Sequence, residues 1–128
     1  MHVAELMLRD PTLIAAEDSV QSAAQAIADI DSRFIFVGAE DRVLGVLTVG
    51  DILIRVVAAG LDPGSTAVSQ IMSSSLFTCT EEENAESVAQ RMAEHHIEQM
   101  PVLDSEERLV GVITRHAAQT RSTADKAR

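Results

Sequence analysis

The chain has 128 residues, 46% of them hydrophobic, and its 10 Lys and Arg against 20 Asp and Glu leave a net charge of −10. That balance repels a phosphate backbone, and three Phe with no Trp or Tyr leave no aromatic platform for stacked bases, so nucleic acid is not an expected partner. The longest apolar stretch, 52–60, is broken by Arg55 and too short to span a bilayer, so no membrane partner is expected either.

Chain order reveals a duplication. Val3-Ala4-Glu5-Leu6-Met7 returns 65 residues later as Val68-Ser69-Gln70-Ile71-Met72, and Gly45-Val46-Leu47-Thr48 returns 66 residues later as Gly111-Val112-Ile113-Thr114. Each copy is one supersecondary unit whose apolar face needs a partner, and half of this chain, about 60 residues, buries too little surface to stand comfortably alone. The copies are therefore expected to share a core. Residues 1–66 and 67–128 are read as the two repeats, with 61–66, Leu-Asp-Pro-Gly-Ser-Thr, as linker.

The opening Met1-His2-Val3-Ala4-Glu5 carries an acid where a secretory signal would be basic, so export is not expected. Thr12–Ala15 predicts a short strand, and Asp18 or Ser19 a helix cap. Val20, Ala23, Ala24 and Ile27 then form one apolar helix stripe, repeated by Ala85, Val88, Ala89 and Met92. Arg33–Val37 predicts a buried strand, 38–42 a polar turn, and Val43–Thr48 the hairpin partner. The second copy's longer turn, 103–107, absorbs the extra residue. A second helix follows Thr48, with Ile52, Leu53, Val56 and Val57 as its apolar face and Gly60 as its stop. After the second hairpin only a shorter helix fits, at 116–120, and 122–128 reads as a frayed polar tail. Each copy is thus strand, helix, strand, strand, helix, an α+β arrangement.

This order, with the opening Val-x-x-Ile-Met, the run His95-His96-Ile97-Glu98-Gln99-Met100-Pro101-Val102 and the close Gly45-Val46-Leu47-Thr48-Val49-Gly50-Asp51, resembles the CBS domain. The resemblance covers about residues 3–120. It implies two repeats, each β-α-β-β-α, packed through their sheets with pseudo-two-fold symmetry as a Bateman module. It also implies a regulatory or sensor role, not an enzyme, with an adenosine-containing metabolite such as AMP, ATP or S-adenosylmethionine in an inter-repeat cleft. No cofactor is obligatory in that picture.

Carried over by position, the resemblance assigns Thr48 and Asp51 to the ribose, with Val46 beside it, and Ser73, Thr78, Ile97 and Gln99 to the base. An ionised carboxylate accepts from two neighbouring hydroxyls, and a helix start offers N–H groups to a phosphate. The second cleft, at Val112, Thr114 and Arg115, is degenerate, because Ala117 stands where the carboxylate belongs. Phe36 at the position of Pro101, and Leu13 at that of Thr78, add bulk there. At most one ligand per chain is therefore expected. The same Thr48-x-x-Asp51 spacing also fits a helix-capping box that needs no ligand.

Other groups support no catalyst. Cys79 lies in a predicted buried strand, and neither a nucleophile elbow nor a Gly-rich phosphate loop is present. A single cysteine is the pattern of a reduced, cytoplasmic protein. His95 and His96, about 100° apart on a helix, do not converge on one ion, so no metal site is assigned. Glu81-Glu82-Glu83 reads as an exposed helix start, the methionines as core filler, and Arg115 either as a phosphate contact or as the partner of a nearby Glu. The resemblance further implies a homodimer paired through helical faces and an effector protein, of unknown identity, signalled in trans. The alternative is a ligand-free interaction or scaffold module with both clefts filled.

Overall fold

The structure, a computed structural model, describes residues 1–119. It is α+β, with two sheets, and the chain divides into two compact units, 1–11 with 77–128 and 12–76. These units do not coincide with the sequence copies. Each takes the opening segment of the other copy.

After β1 (Leu8–Arg9), which belongs to the other unit, the unit built from 12–76 contains in chain order β2 (Leu13–Ile14), α1 (Val20–Asp29), β3 (Phe34–Ala39), β4 (Arg42–Thr48) and α2 (Val49–Ile52). Its sheet runs β2-β3-β4, with β2 parallel and β4 antiparallel to β3. Ser19 is the cap of α1, its hydroxyl accepting from the Ser22 N–H at 3.1 Å. The stripe of α1 faces inward through Val20, Ala23 and Ile27. The hairpin turn is tighter than the sequence suggests: β3 continues to Ala39 and pairs it with Arg42. Only Glu40 and Asp41 remain to turn the chain, with Glu40 at a φ of 57°.

After Ile52 the helix widens, the Ala58 N–H reaching back five residues to the Leu53 carbonyl at 2.9 Å. Gly60, at a φ of 75°, ends it, with the Leu61 and Gly60 N–H groups closing on the Val56 and Val57 carbonyls. The expected apolar face is only half correct. Val56 is buried and Ile52 half-buried, whereas Leu53 and Val57 are 59% and 64% exposed. The helix is apolar on most of its surface, and only its Ile52–Val56 side joins the cluster formed with α1 and the sheet.

The expected linker is ordered: Ser65 and Thr66 donate to Asp62, and Thr66 is buried. A short helical turn, Val68–Gln70, follows and packs into this same unit. Val46 and Ser73 then exchange two backbone hydrogen bonds, each 2.9 Å.

The other unit repeats the plan. Its sheet, β1-β7-β6-β5, comprises β1 (Leu8–Arg9), β5 (Cys79–Thr80), β6 (Gln99–Leu103) and β7 (Leu109–Thr114). Its helix α3 (Ala85–Glu94) buries Ala85, Val88, Ala89 and Met92. Asn84 is the cap, so Glu81–Glu83 precede the helix and do not form its first turn. Residues 115–119 begin a further helix, and the expected frayed tail, 122–128, lies outside the described residues.

The opening Val3–Glu5 turn and β1 belong here, with Leu8 paired to Val112. The two copies do share buried side chains, and they do so through the exchanged openers. Among the described residues there are two clusters of buried side chains, and each draws on both copies: Val3 and Met7 join Met92, Met100 and Ile113, while Val68 and Ile71 join Val20, Leu47 and Val56.

Glycine explains why the openers dock where they do. A Cβ on Gly45 would lie 2.7 Å from the Ser73 carbonyl oxygen and 2.9 Å from Met72 Sδ. On Gly111 it would lie 2.7 Å from Met7 Sδ and 2.8 Å from the Leu8 carbonyl oxygen. The duplicated Met and the duplicated Gly are two sides of one contact, made once in each unit.

Candidate functional site

In the 12–76 unit the structure gathers four of the residues singled out from sequence. Thr48 ends β4 and caps α2: its Oγ1 accepts from the Asp51 N–H at 3.0 Å, and Asp51 Oδ2 accepts from the Thr48 N–H at 3.0 Å. The capping-box reading is therefore correct as geometry. It leaves Asp51 Oδ1 outside the box, 4.0 Å from Arg55 Nε, on a side chain only 18% exposed. Two positions back along β4, half-buried Val46 is tied to Ser73. A carboxylate with a spare oxygen thus stands at the head of a helix, on a strand end joined to the opener.

The remaining residues belong to the other unit. Gln99, which opens β6, and Ile97, two residues before it, are half-buried, and Thr78 is exposed, its carbonyl accepting from Arg91 Nη2 at 3.2 Å. Arg91 also pairs with Glu83 at 3.0 Å. Burial pushes the Glu83 carboxyl up, but the Thr80 N–H and the Arg91 guanidinium outweigh it and hold the group below its ordinary range.

The junction after β7 matches the one after β4 up to a point. Thr114 Oγ1 accepts from the Ala117 N–H at 3.2 Å, as Thr48 does from Asp51, but alanine returns nothing. Of the reading for Arg115, the structure provides the ion pair: its guanidinium is bound to Glu98, whose carbonyl also accepts the Arg115 N–H at 2.9 Å. Val112 is buried, in register with Pro101 and Leu8. Phe36, the counterpart of Pro101, is buried and packs edge-on against Phe34 at 5.4 Å.

Two features escaped the sequence reading. Arg55 entered it only as a break in an apolar run, although Asp51-x-x-x-Arg55 has the spacing of a helix ion pair. Phe77, 46% exposed, stacks on His95 with ring centroids 4.4 Å apart, a contact between residues 18 apart that no local pattern announces. Cys79 is 2% exposed, and burial, reinforced by Glu83, pushes its thiol up to about 12. That is the opposite of what a nucleophile needs. Among the described residues no group of three or more His, Cys, Asp or Glu is placed to hold a metal ion. No helix among them is long and apolar enough to cross a membrane.

Comparison with known proteins matches the CBS domain twice, over residues 3–58 and 68–118. Hypoxic response protein 1 of Mycobacterium tuberculosis is 31% identical over 111 residues, covering 86% of this chain and 77% of that protein. A solved structure under the same name, with two coordinated zinc ions, is 28% identical at a TM-score of 0.82 and covers 95% of this chain and 98% of its own. A CBS domain pair in complex with 5′-methylthioadenosine and S-adenosylmethionine superposes with a TM-score of 0.83 at 23% identity, covering 98% of each chain. CBSX2 in complex with AMP does so with a TM-score of 0.82 at 19% identity, covering 99% of this chain and 98% of its own. At that identity these last two likenesses speak for the fold.

Proposed function

The chain belongs to the CBS-domain family, and on that premise we propose that it is a regulatory module binding one adenosine-containing metabolite, of the AMP, ATP or S-adenosylmethionine type, and passing its occupancy to an effector. The observation that carries this reading is the Asp51 carboxylate, mostly covered, fixed by the Thr48 cap and still holding an oxygen outside that cap. A cap alone requires neither the second oxygen nor the cover. In this proposal Asp51 and Thr48 meet the ribose, with Val46 beside it and Ser73 toward the base. Thr78, Ile97 and Gln99 are proposed for the base. The adenosine ligands of the two related structures support the choice of class. Ala117 and the Arg115–Glu98 pair argue that the other Thr takes no ribose.

The regulatory reading, and a cytoplasmic setting, fit a lone buried thiol raised far from reactivity. A homodimer is proposed through the face of α2 and its widened continuation, where Val49, Leu53, Ile54 and Val57 are exposed together.

Calorimetric titration of AMP, ATP, adenosine and S-adenosylmethionine into the wild-type chain and Asp51→Ala tests the site, with native mass spectrometry reporting retained ligand and oligomer mass. We expect one ligand per chain and a loss of at least about tenfold in the variant, a difference of ~1.4 kcal/mol. Losing the cap costs about 0.5–2 kcal/mol of stability, so the variant is titrated well below its melting temperature. Equal affinity in both proteins refutes the assignment, and no binding of any of the four by the wild type favours the scaffold alternative.

A further inference from the structure

We propose that Arg55 is a positioning residue for the ligand-binding carboxylate of Asp51, a clamp that holds Asp51 and the Ile71–Ser73 segment in one arrangement. The inference rests on the ligand reading above for its consequence, but the clamp itself rests on geometry inside a single unit. Arg55 Nη1 donates to the Ile71 carbonyl oxygen at 2.9 Å, across 16 residues of sequence. From the same planar group, Nε faces Asp51 Oδ1 at 4.0 Å. One guanidinium therefore addresses the carboxylate on one side and the opener's backbone on the other.

Each end of this bridge is itself anchored. Asp51 Oδ2 is held by the Thr48 N–H, and the Arg55 charge on the side of the opposite oxygen favours that orientation of the carboxylate. Ile71 is buried, and two residues later Ser73 and Val46 exchange their pair of hydrogen bonds. The guanidinium's place depends on the widened turn, since Arg55 lies inside the segment Leu53–Val57 that the Ala58–Leu53 hydrogen bond spans. Arg55 is half exposed, at 52%, so solvent weakens its charge on Asp51 while its directed hydrogen bond to Ile71 persists. Arginine suits this task through its planar fork: one nitrogen donates to the Ile71 carbonyl while another carries charge toward Asp51, which a lysine ammonium on a flexible stem does not reproduce.

The same positions suggest a competing role, in which a half-exposed cation after a helix start simply meets a phosphate. Adenosine and AMP separate the two. If Arg55 acts through Asp51, Arg55→Ala weakens both by a similar factor, about tenfold, within the range of coupling between contacting residues. Added to Asp51→Ala, the second substitution then costs little more, because what it positioned is gone. Arg55→Lys, keeping the charge without the fork, binds adenosine nearly as weakly as the alanine variant. A loss confined to AMP, an additive double variant, or full recovery by lysine overturns the proposal.

A ligand-free measurement keeps it falsifiable by itself. Amide hydrogen exchange at Val46 and Ser73 should quicken by about tenfold or more in Arg55→Ala, with β2 and β3 amides unchanged, because the released segment opens locally. Unaltered protection at Ser73 overturns the clamp even where the wild type binds ligand. Failure of the wild type to bind adenosine or AMP instead defeats the functional reading, and with it Arg55's part in binding, whatever the exchange shows.

Discussion

The junction after β4 and the junction after β7 begin identically and end differently. In both, a threonine hydroxyl accepts from the N–H three residues on, and the N–H of the next residue returns to the carbonyl just before the hairpin, Val49 to Arg33 at 3.0 Å and Arg115 to Glu98 at 2.9 Å. Only after β4 does a carboxylate answer the cap and an arginine reach across to the opener. After β7 the arginine comes one residue past the cap and is consumed by Glu98. The backbone frame and its threonine cap are thus what duplication preserved, and the difference resides in two side chains grafted onto it, Asp51 and Arg55.

The largest expected effects break the frame itself. A Cβ on Gly38 would lie 2.0 Å from the Arg42 carbonyl oxygen, where the irregular pairing after Val37 folds the strand ends together. Backbone cannot yield as a side chain does, so Gly38→Ala should cost about 3 kcal/mol in chemical denaturation. The counterpart in β6 is Leu103, which the longer turn accommodates. Gly45→Ala and Gly111→Ala attack the opener contacts and should cost about 1–3 kcal/mol each. Similar losses in the two would support equal dependence of both units on exchanged openers, and a neutral Gly111→Ala would contradict it.

Those glycines show what was legible in the sequence and what was not. Helices α1 and α3 were readable because their apolar stripes recur at 3, 4 and 7 residues, and the hairpins because Arg33–Val37 and Val43–Thr48 flank a polar turn. The exchange of openers was not, because a repeated Val-x-x-x-Met states that two segments are alike without stating on which sheet each lies. Nor did Leu53 and Val57 announce their exposure, since apolar spacing reports that a face is apolar and not that something covers it. At the candidate site the Thr48–Asp51 box follows from spacing alone. Arg55 to Ile71 joins a side chain to a main-chain oxygen, and main-chain oxygens leave no trace in a sequence.

A smaller effect comes from the caps. Thr48→Ala and Thr114→Ala each remove a hydroxyl acceptor, at about 0.5–2 kcal/mol. We expect the Thr48 variant to lose less of its helix, because Asp51 keeps its favourable place near the helix start. Ala117→Asp sharpens the comparison from the other side by restoring the missing carboxylate after Thr114. A gain of roughly 0.5 kcal/mol in unfolding free energy, read as a higher denaturant midpoint, is expected from the completed box and the helix dipole. The variant should still take one ligand per chain by calorimetry, since Arg115 remains paired to Glu98 and nothing there reproduces the Arg55 bridge. A second equivalent of bound adenosine would show that the carboxylate alone separates the two junctions.

The subtlest difference between the units is their response to acid. Glu83, which accepts the Thr80 N–H at 2.7 Å and pairs with Arg91, has its carboxyl lowered from the ordinary 4.5 despite burial. A carboxyl depressed in the folded state binds its proton more readily once unfolded, so its contribution is complete above about 4.5 and disappears as pH falls through the folded value. Melting temperature should therefore fall less steeply for Glu83→Gln than for the wild type below pH 4.5, the two curves converging in acid. At neutral pH the variant should be the less stable by about 0.5–1 kcal/mol, the usual size for a partly exposed pair. Arg91 also holds the Thr78 carbonyl, so the variant frees a guanidinium that anchors the backbone beside a proposed base contact. Parallel curves across the acid range would mean that the Glu83–Arg91 pair adds no net stability to the unit containing α3.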